Sequence, residues 1–255
     1  MEWSEEGVVI AVRQHGEQAV IVTLLTESHG RHAGLVRGGA SPRLRGLYQP
    51  GNLVSAVWRG RLSEHLGNFV CEMVRGYAGP LLEEPAGLAI LASLCAVAET
   101  ALPEREPHPD VYGRTLALVQ TLATQGAGAA HRFAGLAGYV QWELALLREL
   151  GYGLDLRSCA VTGETANLAY VSPKSGRAVS DGAAGPWRER LLALPTFLLD
   201  GADERATVAN EVEVGQGLAL TGWFLDRYVF AQQGRRIPAA RLRLVEACAQ
   251  STTIG

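Results

Sequence analysis

The sequence is poor in the features that mark secreted, membrane-bound or metal-holding proteins. Its 255 residues include four cysteines, Cys71, Cys95, Cys159 and Cys248, and no two form a C-x-x-C pair. A disulfide framework crowds cysteines into a short chain and a structural zinc site pairs its thiols, so neither pattern is present. Scattered single cysteines point to a reducing compartment. No uninterrupted run of 18 apolar residues occurs, because the longest candidates, around 86–102 and 133–147, carry Glu99, Gln141 and Glu143. The acidic opening Met1-Glu2-Trp3-Ser4-Glu5-Glu6 lacks the basic start and apolar core of a secretory signal. The chain therefore reads as soluble and cytoplasmic, with no membrane contact.

Catalytic signatures are missing too. There is no G-x-x-x-x-G-K-[ST] phosphate loop, no G-x-S-x-G elbow, no H-E-x-x-H, and no G-x-G-x-x-G between a strand and a helix. His15, His29, His32, His65, His108 and His131 are scattered through polar or turn segments, where a surface or turn role is expected. We therefore expect no catalytic residues, no cofactor and no bound metal. Lysine is nearly absent: Lys174 stands alone, and the other 22 of 23 basic residues are arginine. Codon bias in a GC-rich genome accounts for that skew, yet the arginine fork also suits phosphates and base edges.

What is present is an ordinary globular composition, 47% apolar and 19% charged, with a formal net charge of −3. The first 78 residues alternate with period two. Val8, Ile10 and Val12 alternate with Val9 and Ala11. Ala19, Ile21, Thr23 and Leu25 oppose Val20, Val22 and Leu24. Further runs lie at 31–38, 51–59 and 66–75. Five short strands punctuated by Gly, Pro and Asn fit a small closed barrel of OB type. After Gly79-Pro80 the period changes to three and four, and helices are expected at 81–102, 111–125 and 131–150. Residues 152–185 read as irregular, with extended pieces near 166–171 and 177–180. Helices resume at 187–194, 208–232 and 238–249. The expected fold is α+β: a barrel domain over 1–79, then a mainly helical domain over 80–255.

Charge is segregated along the chain. Between Glu27 and Glu64 no acid occurs, yet the window holds Arg31, Arg37, Arg43, Arg45, Arg59 and Arg61, with Tyr48 and Trp58 interleaved. On a small barrel such a window attracts a phosphate backbone, and the two aromatic rings are candidates for stacking on bases. A second acid-free window contains Arg235, Arg236, Arg241 and Arg243. It suits DNA, the acidic tail of a protein partner, or a helix C-terminal dipole.

Several segments in order resemble the RecO family of bacterial DNA repair proteins, which are recombination mediators. They are His15-Gly16-Glu17, Val20 to Thr26 with Gly30, Leu35-Val36-Arg37-Gly38-Gly39-Ala40, and Gln49-Pro50-Gly51. Leu147-Arg148-Glu149-Leu150-Gly151-Tyr152 then precedes Leu156 and Cys159. The resemblance implies an OB barrel, a helical domain and an irregular region that binds zinc through four cysteines in many members. Here Thr162 stands where a second ligand would be and 172–185 has no cysteine, so no zinc is expected. The resemblance further implies binding of single- and double-stranded DNA, strand annealing, and partnership with RecR. It also implies partnership with the C-terminal tail of single-stranded DNA-binding protein (SSB), in support of RecA loading, with nucleoid association during repair. An acidic tail ending in an apolar residue needs an apolar pocket beside an arginine, a composition found at Arg132, Phe133, Leu136 and Val140. From the residues alone, an RNA-binding OB protein and a small-molecule enzyme with dispersed catalytic groups stay open.

Overall fold

The computed structural model describes residues 1–62, 64–124, 128–199 and 209–251. They divide into two compact units, Met1–Gln125 and Gly126–Gly255.

The first unit is built on five strands: β1 (Glu2–His15), β2 (Ala19–Thr26), β3 (Gly30–Val36), β4 (Leu53–Arg59) and β5 (Asn68–Arg75). They close into a barrel in the order β1-β2-β3-β5-β4. Closure depends on β1, whose first half pairs with β4 (Glu2↔Arg59 to Val8↔Leu53) and whose second half pairs with β2 (Gly7↔Thr26 to His15↔Ala19). A register shift between Val9 and Ala11 bends the strand between its two partners. The last seam is narrow, a parallel pairing of Leu35 with Asn68.

Val20, Val22 and Leu24 of β2 point inward and join Val9, Val36, Val54, Ala56, Trp58 and Phe69 in the barrel core. Thr23 and Leu25, on the opposite face, are also buried. That face is covered from outside: α3 (Pro85–Ala101) packs on β1 and α4 (Pro109–Thr124) on β2, with the short α2 (Ala78–Leu81) leading in. Strands give way to helices near residue 79, and the first compact unit continues beyond that point through α3 and α4.

In the second unit α5 (Ala129–Glu149) packs on α7 (Glu211–Phe224), which runs on as a π-helix over Leu225–Phe230 and also meets α8 (Ala239–Ser251). Asn210 and Glu213 form a capping box that starts α7. A small sheet of β6 (Leu168–Val171), β7 (Ala178–Ser180) and β8 (Leu192–Ala193) takes the order β7-β6-β8, with α6 (Asp181–Ala184) beside it. The helix expected over 187–194 is instead a 3-10 turn, Gly185–Arg190, followed by β8. Leu192 and Ala193 pair with Val171 and Tyr170, and this long-range pairing overrides the local preference. Val208 and Gln125, the outer ends of two expected helices, lie outside the described residues. No helix among the described residues is long and apolar enough to cross a membrane.

Candidate nucleic-acid interface

The link from β3 to β4 carries half of the first arginine window. Gly38, at φ 71°, turns the chain after Val36, and the Ala40 N–H donates to the Gln18 carbonyl at 3.1 Å, tying the link to the β1–β2 hairpin. The one-turn helix α1 (Pro42–Arg45) follows, with Pro42 in its first turn. Leu44 and Leu47 pack against the barrel core, so Arg43 and Arg45 project outward. Buried Asn52 locks the return. Its Nδ2 donates to the Gly46 carbonyl at 2.8 Å and the Leu47 carbonyl at 3.2 Å, while its Oδ1 accepts from the Ala78 N–H at 3.0 Å.

Arg37, Arg43, Arg45 and Arg61 are exposed and form no ion pair among the described residues. Arg61 lies in the β4–β5 loop, whose end is held to β3 where the Leu35 N–H donates to the Gly67 carbonyl at 3.0 Å. Four guanidinium groups without carboxylate partners are what a polyanion needs to displace counterions.

The other members of the window are occupied or enclosed. Arg31 Nε donates to the Leu102 carbonyl at 2.8 Å, and its Nη1 is 3.4 Å from Glu104, so this arginine fastens β3 to the α3–α4 loop. Arg59 pairs with Glu2 at 2.9 Å in solvent. The expectation that Tyr48 and Trp58 stack on bases is not met. Tyr48 is 4% exposed and Trp58 1%, both within the barrel core, and Trp58 Nε1 donates to the Leu66 carbonyl at 3.0 Å. Alternation along β4 puts Trp58 on the same inward face as Val54 and Ala56.

Aromatic side chains do reach one mouth of the barrel, from Trp3 and Phe69 together with His29 and His32 of the acid-free window. Trp3 stacks on His29 with ring centroids 4.0 Å apart and planes 9° apart, and His32 meets Trp3, Trp58 and Phe69 edge-on. His32 and His108 are buried, contrary to the surface or turn role expected for the histidines. Burial, with Arg105 and His29 close by, holds the His32 imidazolium down to about 4, so the ring is neutral at pH 7. No local pattern flags this cluster. The pairing of Trp3 with Trp58 across β1 and β4 creates it.

In the second unit Arg235, Arg236 and Arg243 are exposed, but Arg241 is not part of that surface. It is 3% exposed and bonded to Glu143. Leu136 and Val140, expected in a receptor for a partner's tail, are sealed in the core of this unit. Arg132 and Phe133 are half-buried, with the Arg132 guanidinium carbon 4.8 Å from the Phe133 ring centre. Cys159 sits where the irregular region turns back. Its N–H donates to the Glu164 carbonyl, and its sulfur accepts from the Ser180 N–H at 3.3 Å and the Ser180 hydroxyl at 3.4 Å. Burial pushes this thiol up, and the hydrogen bonds from Ser180 and Thr162 outweigh that effect and bring it to about 6. No group of three ligating side chains occurs among the described residues.

Residues 1–77 match the family described as Recombination protein O N terminal, and residues 82–236 match Recombination protein O C terminal. The chain is 54% identical over 246 residues to the DNA repair protein RecO of Rhodospirillum rubrum, covering 96% of each chain. It is 50% identical over 248 residues to that of Rhodospirillum centenum, covering 96% of this chain and 94% of the relative. It is also 49% identical over 246 residues to that of Gluconacetobacter diazotrophicus, with the same coverage.

Proposed function

This chain belongs to the RecO family of DNA repair proteins, and from that premise we propose that it is a recombination mediator that binds single- and double-stranded DNA through its barrel domain. In this reading it anneals complementary strands and, with RecR, supports RecA loading on SSB-coated DNA. The observation that carries the reading is the set of four exposed, unpaired arginines, Arg37, Arg43, Arg45 and Arg61, on an OB-type barrel.

Arginines aimed at phosphates position a strand without reading its sequence, which suits a protein that must act at any break. Annealing requires no bond chemistry. Neutralising phosphate repulsion and holding two strands close is sufficient, and exposed arginines on a barrel suit both tasks. The SSB tail and RecR are the protein partners, and the exposed Arg236 and Arg243 suit an acidic partner segment or DNA. The working compartment is the cytoplasm, at the nucleoid during repair.

The test is fluorescence anisotropy of a labelled single strand across a salt series, with matched RNA as competitor. Four phosphate contacts give a log–log salt slope of about −3 for single strands. RNA should compete no better than DNA, since preference for RNA requires contacts to the 2′-hydroxyl. Failure to bind at low salt would remove the arginine face from DNA recognition. Strong RNA preference would favour an RNA-binding role.

A further inference from the structure

At the barrel mouth where β1 begins and β2 turns into β3, Trp3, His29, His32, Trp58 and Arg105 line a cavity of about 420 Å³. That volume is in the range of small-molecule sites. His32 is 3% exposed, and neither of its ring nitrogens has a hydrogen-bond partner. A neutral imidazole carries one donor and one acceptor, and leaving both unpaired inside a protein is costly and unusual. Its neighbours are flat: Trp3 lies on His29 in near-parallel contact, and Trp58 faces Trp3 at 6.0 Å and 15°.

Arg105 supplies a cation, and the Glu2 carboxylate that also lines the cavity is paired with Arg59. It has a left-handed backbone, φ 61°, which a non-glycine residue keeps only where its surroundings impose it. Its N–H donates to the Arg31 carbonyl at 2.9 Å and its Nη2 to the His65 carbonyl at 3.0 Å, so the guanidinium is held between β3 and the β4–β5 loop. Its Nε is buried without a hydrogen-bond partner.

We propose that this cavity is a subsite for one unstacked nucleobase of single-stranded DNA, stacked on the Trp3–His29 platform with its polar edge on His32 and its neighbouring phosphate near Arg105. The inference rests on the DNA-binding reading and deepens it, by adding a base contact to a phosphate-binding face. The chemistry matches part by part. Base–aromatic stacking needs a flat wall and tolerates any sequence. The polar edge of a base presents donors and acceptors together, as the neutral His32 ring does. The backbone beside it is an anion. Bases in a duplex are already stacked and paired, so they cannot enter, and the subsite would favour single strands.

The experiment uses the full chain and two readouts. First, a deoxythymidine oligonucleotide containing 5-iododeoxyuridine is cross-linked by light and the modified peptide is mapped, with adducts expected on Trp3, His29 or His32. Second, affinities for a single strand and for a duplex are compared in His32→Phe, which keeps a ring and removes its polar atoms, and in Arg105→Gly, which suits the left-handed backbone. Each should weaken single-strand binding about 10-fold, the order of one lost hydrogen bond at a buried or charged group, and leave duplex binding within about 2-fold, with melting curves confirming the fold. Unchanged single-strand affinity, equal loss on both substrates, or adducts confined to other residues would each overturn the subsite. Absence of any DNA binding by the unaltered chain would instead refute the DNA reading on which it rests.

Discussion

The Glu143 carboxylate of α5 grips the Arg241 guanidinium of α8 inside the second unit, with Nε 2.6 Å from Oε1 and Nη2 2.9 Å from Oε2. Thr221 of α7 donates its hydroxyl to the same carboxylate, and Arg241 Nη2 also reaches the Leu218 carbonyl at 2.9 Å. A Cβ on Gly222 would stand 2.7 Å from Arg241 Nη1, so the glycine makes room for the guanidinium. Three helices thus share one ion pair. Removing one partner leaves the other buried and unpaired, so Arg241→Ala should cost about 3–5 kcal/mol in urea denaturation, with little change in DNA affinity of the folded fraction. The double replacement Glu143→Leu with Arg241→Met should recover most of the loss, because apolar groups of similar volume need no partner.

The exposed arginines give a second prediction. Changing Arg37, Arg43 and Arg45 together to alanine should weaken DNA binding for every sequence and flatten the single-strand salt slope by about 2, read by anisotropy. Arg31→Ala should act differently, lowering the melting temperature while sparing the slope, since Arg31 is spent on Leu102 and Glu104. If the triple variant binds as the parent does, with the same slope, the DNA face lies elsewhere.

His32 makes stability depend on pH. Its folded value, about 4, is below the ordinary value near 6.5, so between these limits the unfolded chain takes a proton that the folded chain refuses. Stability should therefore fall as pH drops from about 6.5 to 4, by at most about 1.4 kcal/mol per pH unit from this group. Above pH 6.5 the effect vanishes. Denaturation midpoints at pH 7 and pH 5 should differ less in His32→Phe than in the parent. An equal difference would show that the carboxylates, not His32, set the slope.

The irregular region should not depend on zinc. Hydrogen bonds from Ser180 occupy the Cys159 sulfur where a metal would bind. Metal analysis should find zinc well below one per chain, and a chelator should leave the melting curve unmoved. Cys159→Ala should cost about 1–3 kcal/mol by leaving the buried Ser180 donors without their acceptor. A chelator-sensitive melt would refute this account.

The five barrel strands, the long helices and the arginine window were legible from the sequence, because alternation and helical spacing are properties of neighbours two to four residues apart. The helix expected over 187–194, by contrast, gave way to β8, which exists only through its pairing with β6. Val20, Val22 and Leu24 needed only each other to mark a strand face. Even so, alternation along β4 could not say that the face holding Trp58 points inward, since that depends on how the barrel closes. Nor could the acid-free window show which arginines stay free. Glu2 reaches Arg59 across 57 residues and Glu104 reaches Arg31 across 73. The Trp3–His29–His32 mouth and the Glu143–Arg241 pair are likewise products of closure and helix packing. Local order is encoded between near neighbours, whereas which side chains stay free for a ligand is decided by long-range contacts that only tertiary structure brings together.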